Sequence, residues 1–145
     1  MRILELELIN FKGVRSLKLD LNGNDAIIRG DNGTGKSTIM DAFIWLMIGK
    51  DHEGRSEMKF DIKTRDEAGE AIPMIDHTVR ARLDHNGDVF ELTRTFKELR
   101  PKKSGTSEKI FTGHETEYFI NGISKGMRAY QTFVDALVPP QLLKL

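Results

Sequence analysis

One stretch of eight residues, Gly30-Asp31-Asn32-Gly33-Thr34-Gly35-Lys36-Ser37, limits what this chain can fold into more than any other feature. Glycine, four residues, then Gly-Lys-Ser is the Walker A pattern of a phosphate-binding loop, which needs a strand before it and a helix after it. The flanks supply both. Ala26-Ile27-Ile28 is a short continuous apolar run of the kind a strand covered on both faces shows. From Lys36 to Ile48, Ile39, Phe43, Leu46 and Met47 recur at helical spacing with Ala42 and Trp45 beside them, and Gly49 stands where a helix ends. So much of this helix is apolar that it should be buried on more than one side.

Each residue type in the loop has a physical reason to be there. Glycine permits positive φ and close backbone approach, so successive N–H groups along Asn32, Gly33, Thr34, Gly35 and Lys36 can point at phosphate oxygens. The helix N-terminus adds favourable partial charge. Lys36 should reach the β- and γ-phosphates of ATP, Ser37 should offer its hydroxyl to Mg²⁺, and Thr38 should reach the α-phosphate side. The plainer reading is a glycine-rich turn with a solvated lysine.

Around this core the chain reads as strands. Leu4, Leu6 and Leu8 alternate with Glu5 and Glu7, and after Phe11-Lys12-Gly13 a second run sets Leu17, Leu19 and Leu21 against Ser16, Lys18 and Asp20. Further on, Met58, Phe60 and Ile62 alternate, as do Val79, Ala81 and Leu83, and then Phe90 and Leu92. Asn86-Gly87 is a strong hairpin signal, and Glu117 to Ile120 with Asn121-Gly122 predicts another strand and turn. These runs make an antiparallel meander, with a turn at Asp66-Glu67-Ala68-Gly69 and a polar loop from Lys97 to Lys109. Tyr130, Phe133, Val134 and Leu137 fall on one face of a helix closed by Pro139 and Pro140, and Gln141 to Leu145 predicts the first turn of another. The expected fold class is mixed α/β, a strand–P-loop–helix core with an antiparallel β-meander.

Composition removes several function classes. The 145 residues carry 22 Lys+Arg against 22 Asp+Glu, so any DNA contact must be local or supplied elsewhere. Without cysteine there is no disulfide framework, thiol nucleophile or thiolate metal site, which fits a cytoplasmic location. His52, His77, His85 and His114 show no ligand spacing and are expected at the surface or in loops. The longest apolar run, Ala42 to Ile48, is far below the ~18 residues of a membrane span. Nor does any run of four apolar residues end in Asp; the nearest runs end at Asp20, Asp61 and Asp84 and each holds a charge, which places them at half-exposed edges. A chain without that acid can hold a nucleotide but should hydrolyse it poorly.

Two amphipathic strands precede the loop, whereas P-loop kinases of small molecules place it on the first strand. That order, with Asn10-Phe11-Lys12-Gly13 between the strands and Gly30 to Ala42 after them, resembles the N-terminal head segment of SMC-like ATPases, including the SbcC, RecN and RecF types. Trp45-Leu46-Met47-Ile48-Gly49-Lys50 is similar to that group's helix end, and Phe111 to Gly122 is similar to bacterial and phage AAA-family proteins of this kind. The resemblance implies a P-loop NTPase, ABC-type half head: residues 1–50 with strands, loop and helix, 58–124 as meander, 127–145 as C-terminal helices. It also implies that the chain stops before the Q-loop, so Gln141 is not the Q-loop glutamine, and that the acidic half follows later.

By the same resemblance two heads sandwich ATP in a homodimer and act on DNA in repair, recombination or phage DNA metabolism, in some cases with a nuclease partner. It implies that Lys12 touches the nucleotide, against the reading of an exposed turn lysine, and offers Arg55 a place near the nucleotide edge against a solvated loop arginine. Arg94, Lys97, Arg100, Lys102, Lys103 and Lys109 form a basic cluster that either tracks a DNA backbone or is a solvated loop. Two other functions stay open from the residues: a self-sufficient P-loop kinase or phosphotransferase, and a non-catalytic nucleotide-binding interaction module.

Overall fold

The structure is a computed structural model and describes residues 1–21, 33–50, 76–99 and 113–137. The strands are β1 (Arg2–Phe11), β2 (Val14–Asp20), β3 (His77–His85), β4 (Asp88–Leu99), β5 (Gly113–Ile120) and β6 (Ile123–Lys125); the helices are α1 (Gly33–Ile48) and α2 (Met127–Leu137). Among the described residues one sheet takes all six strands in the order β2-β1-β3-β4-β5-β6, every pair antiparallel. The expected mixed α/β class and the sheet joining the early strands to the meander are both present.

Register explains which face carries the core. Leu6 lies opposite Leu19 and Ala81, Leu8 opposite Leu17 and Val79, and Ala81 opposite Leu92, which faces Ile120. With Leu83 and Phe96 they form one apolar face, against which α1 packs through Ala42, Trp45, Leu46 and Met47, and α2 through Tyr130 and Val134. The other face is charged and paired: Lys18 with Glu5 at 3.5 Å, Arg80 with Glu7, and Lys97 with Glu117 at 3.1 Å. A bulge between Ile3 and Glu5 shifts the β1–β3 register.

Three of the connections are two-residue hairpin turns with positive φ at both positions: Lys12-Gly13 (47° and 88°), Asn86-Gly87 (54° and 90°) and Asn121-Gly122 (52° and 77°). That is the type I′ geometry whose twist matches the strands it joins, and asparagine and glycine suit it. Both Asn-Gly turns fall where the sequence puts them.

Several expectations need correction. Lys97 to Leu99 is not loop but the end of β4, and β5 begins at Gly113, four residues before the strand expected from Glu117. His77 is buried, 1% exposed, with Nδ1 2.6 Å from the Asn10 carbonyl, and the His114 ring stacks on Phe96 at 4.7 Å between centroids. Arg94 leaves the basic cluster altogether: it stands on the apolar face, 5% exposed, at the in-phase position between Leu92 and Phe96. Lys97 pairs with Glu117 at 3.1 Å on the charged face of the sheet. Asp20 is exposed on edge strand β2, as expected, whereas Asp84 stands on β3, an inner strand, and accepts the Gly87 N–H at 2.9 Å inside its hairpin. The Ala26 to Ile28 strand, the Met58 to Ile62 run, the Asp66 to Gly69 turn, His52, Arg55, Asp61, Arg100, Lys102, Lys103, Lys109 and the segment from Pro139 to Leu145 lie outside the described residues.

Candidate functional site

Helix α1 begins at Gly33, so Gly33, Thr34, Gly35 and Lys36 form its first turn. The first N–H groups of an α-helix have no partner within it, and none of these four residues is acidic. Ser37 is exposed and Thr38 buried, 8% exposed. Gly30, Asp31 and Asn32 lie outside the described residues.

One turn further along stands Asp41, fully buried and the one charged residue between Ser37 and Ile48. Its Oδ2 accepts a hydrogen bond from Lys12 Nζ at 2.5 Å. The β1–β2 hairpin thus delivers a cation to the side of α1, and the lysine side chain keeps 23% exposure. Lys12 is thus a turn lysine whose side chain is partly buried against α1. Lysine is poorly suited to φ of 47°, a conformation costing a non-glycine residue roughly 1–2 kcal/mol, and residues held so collect at functional sites.

The opposite end of α1 is fastened by side chains distant in sequence. Arg94 Nη1 donates to the Trp45 carbonyl at 3.2 Å, Tyr130 Oη to the Leu46 carbonyl at 2.7 Å, and Gln131 Nε2 to the Met47 carbonyl at 3.1 Å. Three last-turn carbonyls therefore find partners outside the helix. The Arg94 guanidinium lies 5.3 Å from the Trp45 ring centroid and 4.9 Å from that of Tyr118, with Nη2 3.5 Å from the Tyr118 hydroxyl. Among the described residues no carboxylate pairs with it, so the helix dipole and two aromatic faces carry its charge. Burial drives the Tyr130 phenol well above its ordinary pKa, Arg94 opposing and Tyr118 adding to the rise. Gly49 has φ of 75°, and a Cβ there would lie 2.4 Å from Arg94 Nη2.

Asp41 and Arg94 were not singled out by motif. The signal for Asp41 was a lone acid in an otherwise apolar helix, four residues after Ser37; for Arg94, a charge in phase with Phe90, Leu92 and Phe96. Among the described residues no three His, Asp or Glu side chains gather as a metal site. No described helix is long and apolar enough to cross a membrane.

A family model described as an AAA domain matches residues 5–138. The chain belongs to that family. Among curated relatives of this AAA domain, the DNA replication and repair protein RecF of Carboxydothermus hydrogenoformans is 36% identical over 50 residues, 34% of this chain and 14% of RecF. The retron Ec83 probable ATPase of Escherichia coli is 34% identical over 74 residues, 50% of this chain and 12% of that protein. The AAA domain thus spans a small part of the length of these relatives. Among solved structures, the SMC head domain from Thermotoga maritima superposes with a TM-score of 0.57 at 23% identity, covering 92% of this chain and 42% of that one. A chain from work on ATP-driven dimerization and DNA-stimulated activation of SMC ATPases gives 0.65 at 17% identity, covering 96% and 82%. The fold of the AAA domain is that of an SMC-type ATPase head.

Proposed function

We propose that residues 1–145 are the ATP-binding N-terminal lobe of an SMC/RecF-like ATPase head, with the nucleotide held at the start of α1. The observation that carries this reading is the junction of the Walker A pattern with a helix whose first turn holds no acidic residue and which further along carries Asp41, paired with Lys12. Asn32, Gly33, Thr34, Gly35 and Lys36 form the phosphate cradle, Ser37 gives its hydroxyl to Mg²⁺ bound to the phosphates, and Thr38 and Lys12 complete the contacts. The exposed Ser37 side chain suits that role. Mg²⁺ would supply charge neutralisation between phosphate oxygens.

The lobe divides into the strands, loop and helix of residues 1–50, the meander of 58–124 and the helical segment of 127–145. Hydrolysis requires an acidic residue from a C-terminal half, and ATP draws two heads together as a homodimer whose target is DNA, with a nuclease partner in some contexts and a cytoplasmic setting. A kinase would turn over substrate with this chain alone; an interaction module would ignore nucleotide.

The test is an ATP titration of the native chain and of Lys36→Ala. A charge-assisted hydrogen bond is worth roughly 1.5–3 kcal/mol, so the substitution should weaken affinity about tenfold to a hundredfold. Equal affinity in a folded variant overturns the assignment.

A further inference from the structure

We propose that Asp41 is a positioning residue, holding the Lys12 ammonium beside the phosphate-binding end of α1 as a second cation for the polyphosphate tail of a nucleotide. This rests on the nucleotide reading and deepens it.

Three observations converge. First, Lys12 occupies the turn position that Asn86 and Asn121 fill in the other two hairpins, and it does so at φ of 47°. Turn chemistry favours asparagine there, so the lysine answers to something other than the turn. Second, that something is on α1: Lys12 Nζ meets Asp41 Oδ2 at 2.5 Å, across 29 residues of sequence, while Asp41 itself is fully buried. A carboxylate out of water needs compensation of this kind, and in a helix otherwise so apolar it is a costly choice for packing alone.

Third, Asp41 follows Ser37 by four residues and shares its face of the helix, about 6 Å along the axis. Side chains lean toward the N-terminus of their helix, so the carboxylate leans toward the turn that begins the phosphate cradle. A cation near a helix N-terminus is disfavoured by the dipole unless an anion is present. Asp41 provides that anion before a ligand arrives, and phosphate oxygens provide it afterwards. Lys12 keeps 23% side-chain exposure, and its long flexible stem suits an ammonium that serves both.

The experiment is a double-mutant cycle on the affinity of the 145-residue chain for Mg-ATP, with thermal melts confirming folding. Asp41→Asn should weaken binding about three- to tenfold, because an untethered lysine loses rotamer freedom on binding. In a Lys12→Met background the same change should add less than about twofold. Fold-losses that multiply, or tighter binding by Asp41→Asn, overturn the proposal. If Asp41→Asn does not fold, Lys12→Arg and Lys12→Met decide: arginine should keep affinity within about threefold while methionine loses about tenfold, and equal losses overturn it. Lys36→Ala separates the two levels. No ATP binding by the native chain, or binding indifferent to Lys36, removes the nucleotide reading and this proposal with it. Lys36-dependent binding with an additive cycle removes this proposal alone.

Discussion

Replacing Arg94 by lysine should destabilise the fold more than replacing it by methionine, although lysine keeps the charge. The guanidinium gains a charged hydrogen bond to the Trp45 carbonyl, worth roughly 1.5–3 kcal/mol, contact with two rings, about 2 kcal/mol when desolvated, and up to ~2 kcal/mol from the α1 dipole. Against this stands a desolvation cost of several kcal/mol for a buried ion with no carboxylate partner among the described residues. Methionine removes gain and cost together, and the Trp45 carbonyl still accepts the Gly49 N–H at 2.8 Å. Its net effect should be about 1–2 kcal/mol. Lysine keeps the cost, which is greater for a compact, strongly hydrated ammonium, and loses the planar stacking, so about 3 kcal/mol is expected. At roughly 3 °C per kcal/mol for a chain of this size, melting should fall about 5 °C for Arg94→Met and about 9 °C for Arg94→Lys. Thermal unfolding at pH 7, followed by circular dichroism and by the emission of Trp45, the single tryptophan, measures both. A lysine variant as stable as the native chain, or more stable than the methionine variant, refutes the argument that planarity and weak hydration are what make this buried cation tolerable.

Other outcomes follow from the same end of α1. Tyr130 keeps its proton in the folded state at pH values where the unfolded chain loses it, so stability is intact below about pH 10 and declines as pH rises beyond it. Tyr130→Phe should lose about 1–2 kcal/mol at pH 7 with the Leu46 hydrogen bond, and its alkaline decline should be shallower; identical alkaline profiles by chemical denaturation count against a buried phenol. Gly49→Ala combines positive φ with a Cβ 2.4 Å from Arg94 Nη2, so it should cost more than the roughly 1–2 kcal/mol of the backbone conformation alone, and a melting temperature unchanged by the substitution contradicts the packing described. Asn121→Ala removes a positive-φ asparagine whose Oδ1 accepts the Glu91 N–H at 2.8 Å, and about 1–2 kcal/mol should be lost in the same denaturation assay.

What could be read from the sequence is what local physics decides. Period-two leucines set β1 and β2, Asn-Gly pairs set two hairpins, and i, i+3, i+4, i+7 spacing set α2, because each depends on residues within a few positions. The extension of β4 through Leu99 was hidden because Lys97 is polar and finds its partner, Glu117, on another strand. Arg94 looked like part of a basic run because its charge outweighed its phase with Leu92 and Phe96, and the register against Val79 and Tyr118 puts it on the core face. At the candidate site the loop was legible as a motif, since its glycines and Lys36-Ser37 are contiguous. The Lys12–Asp41 pair was not, because 29 residues and a chain reversal separate a turn lysine from a helix acid. Burial of His77 likewise follows from β3 pairing beside the end of β1, where the Asn10 carbonyl meets its ring.

The central claim is that the start of α1 holds a nucleotide, and backbone amide resonances of an isotope-labelled chain titrated with Mg-ATP test it most directly. The account predicts large shifts at Gly33 to Thr38 and at Lys12, little change along β3 to β6, and loss of the response in Lys36→Ala. Saturating Mg-ATP that leaves Gly33 to Thr38 unmoved, or that shifts a different surface instead, contradicts it.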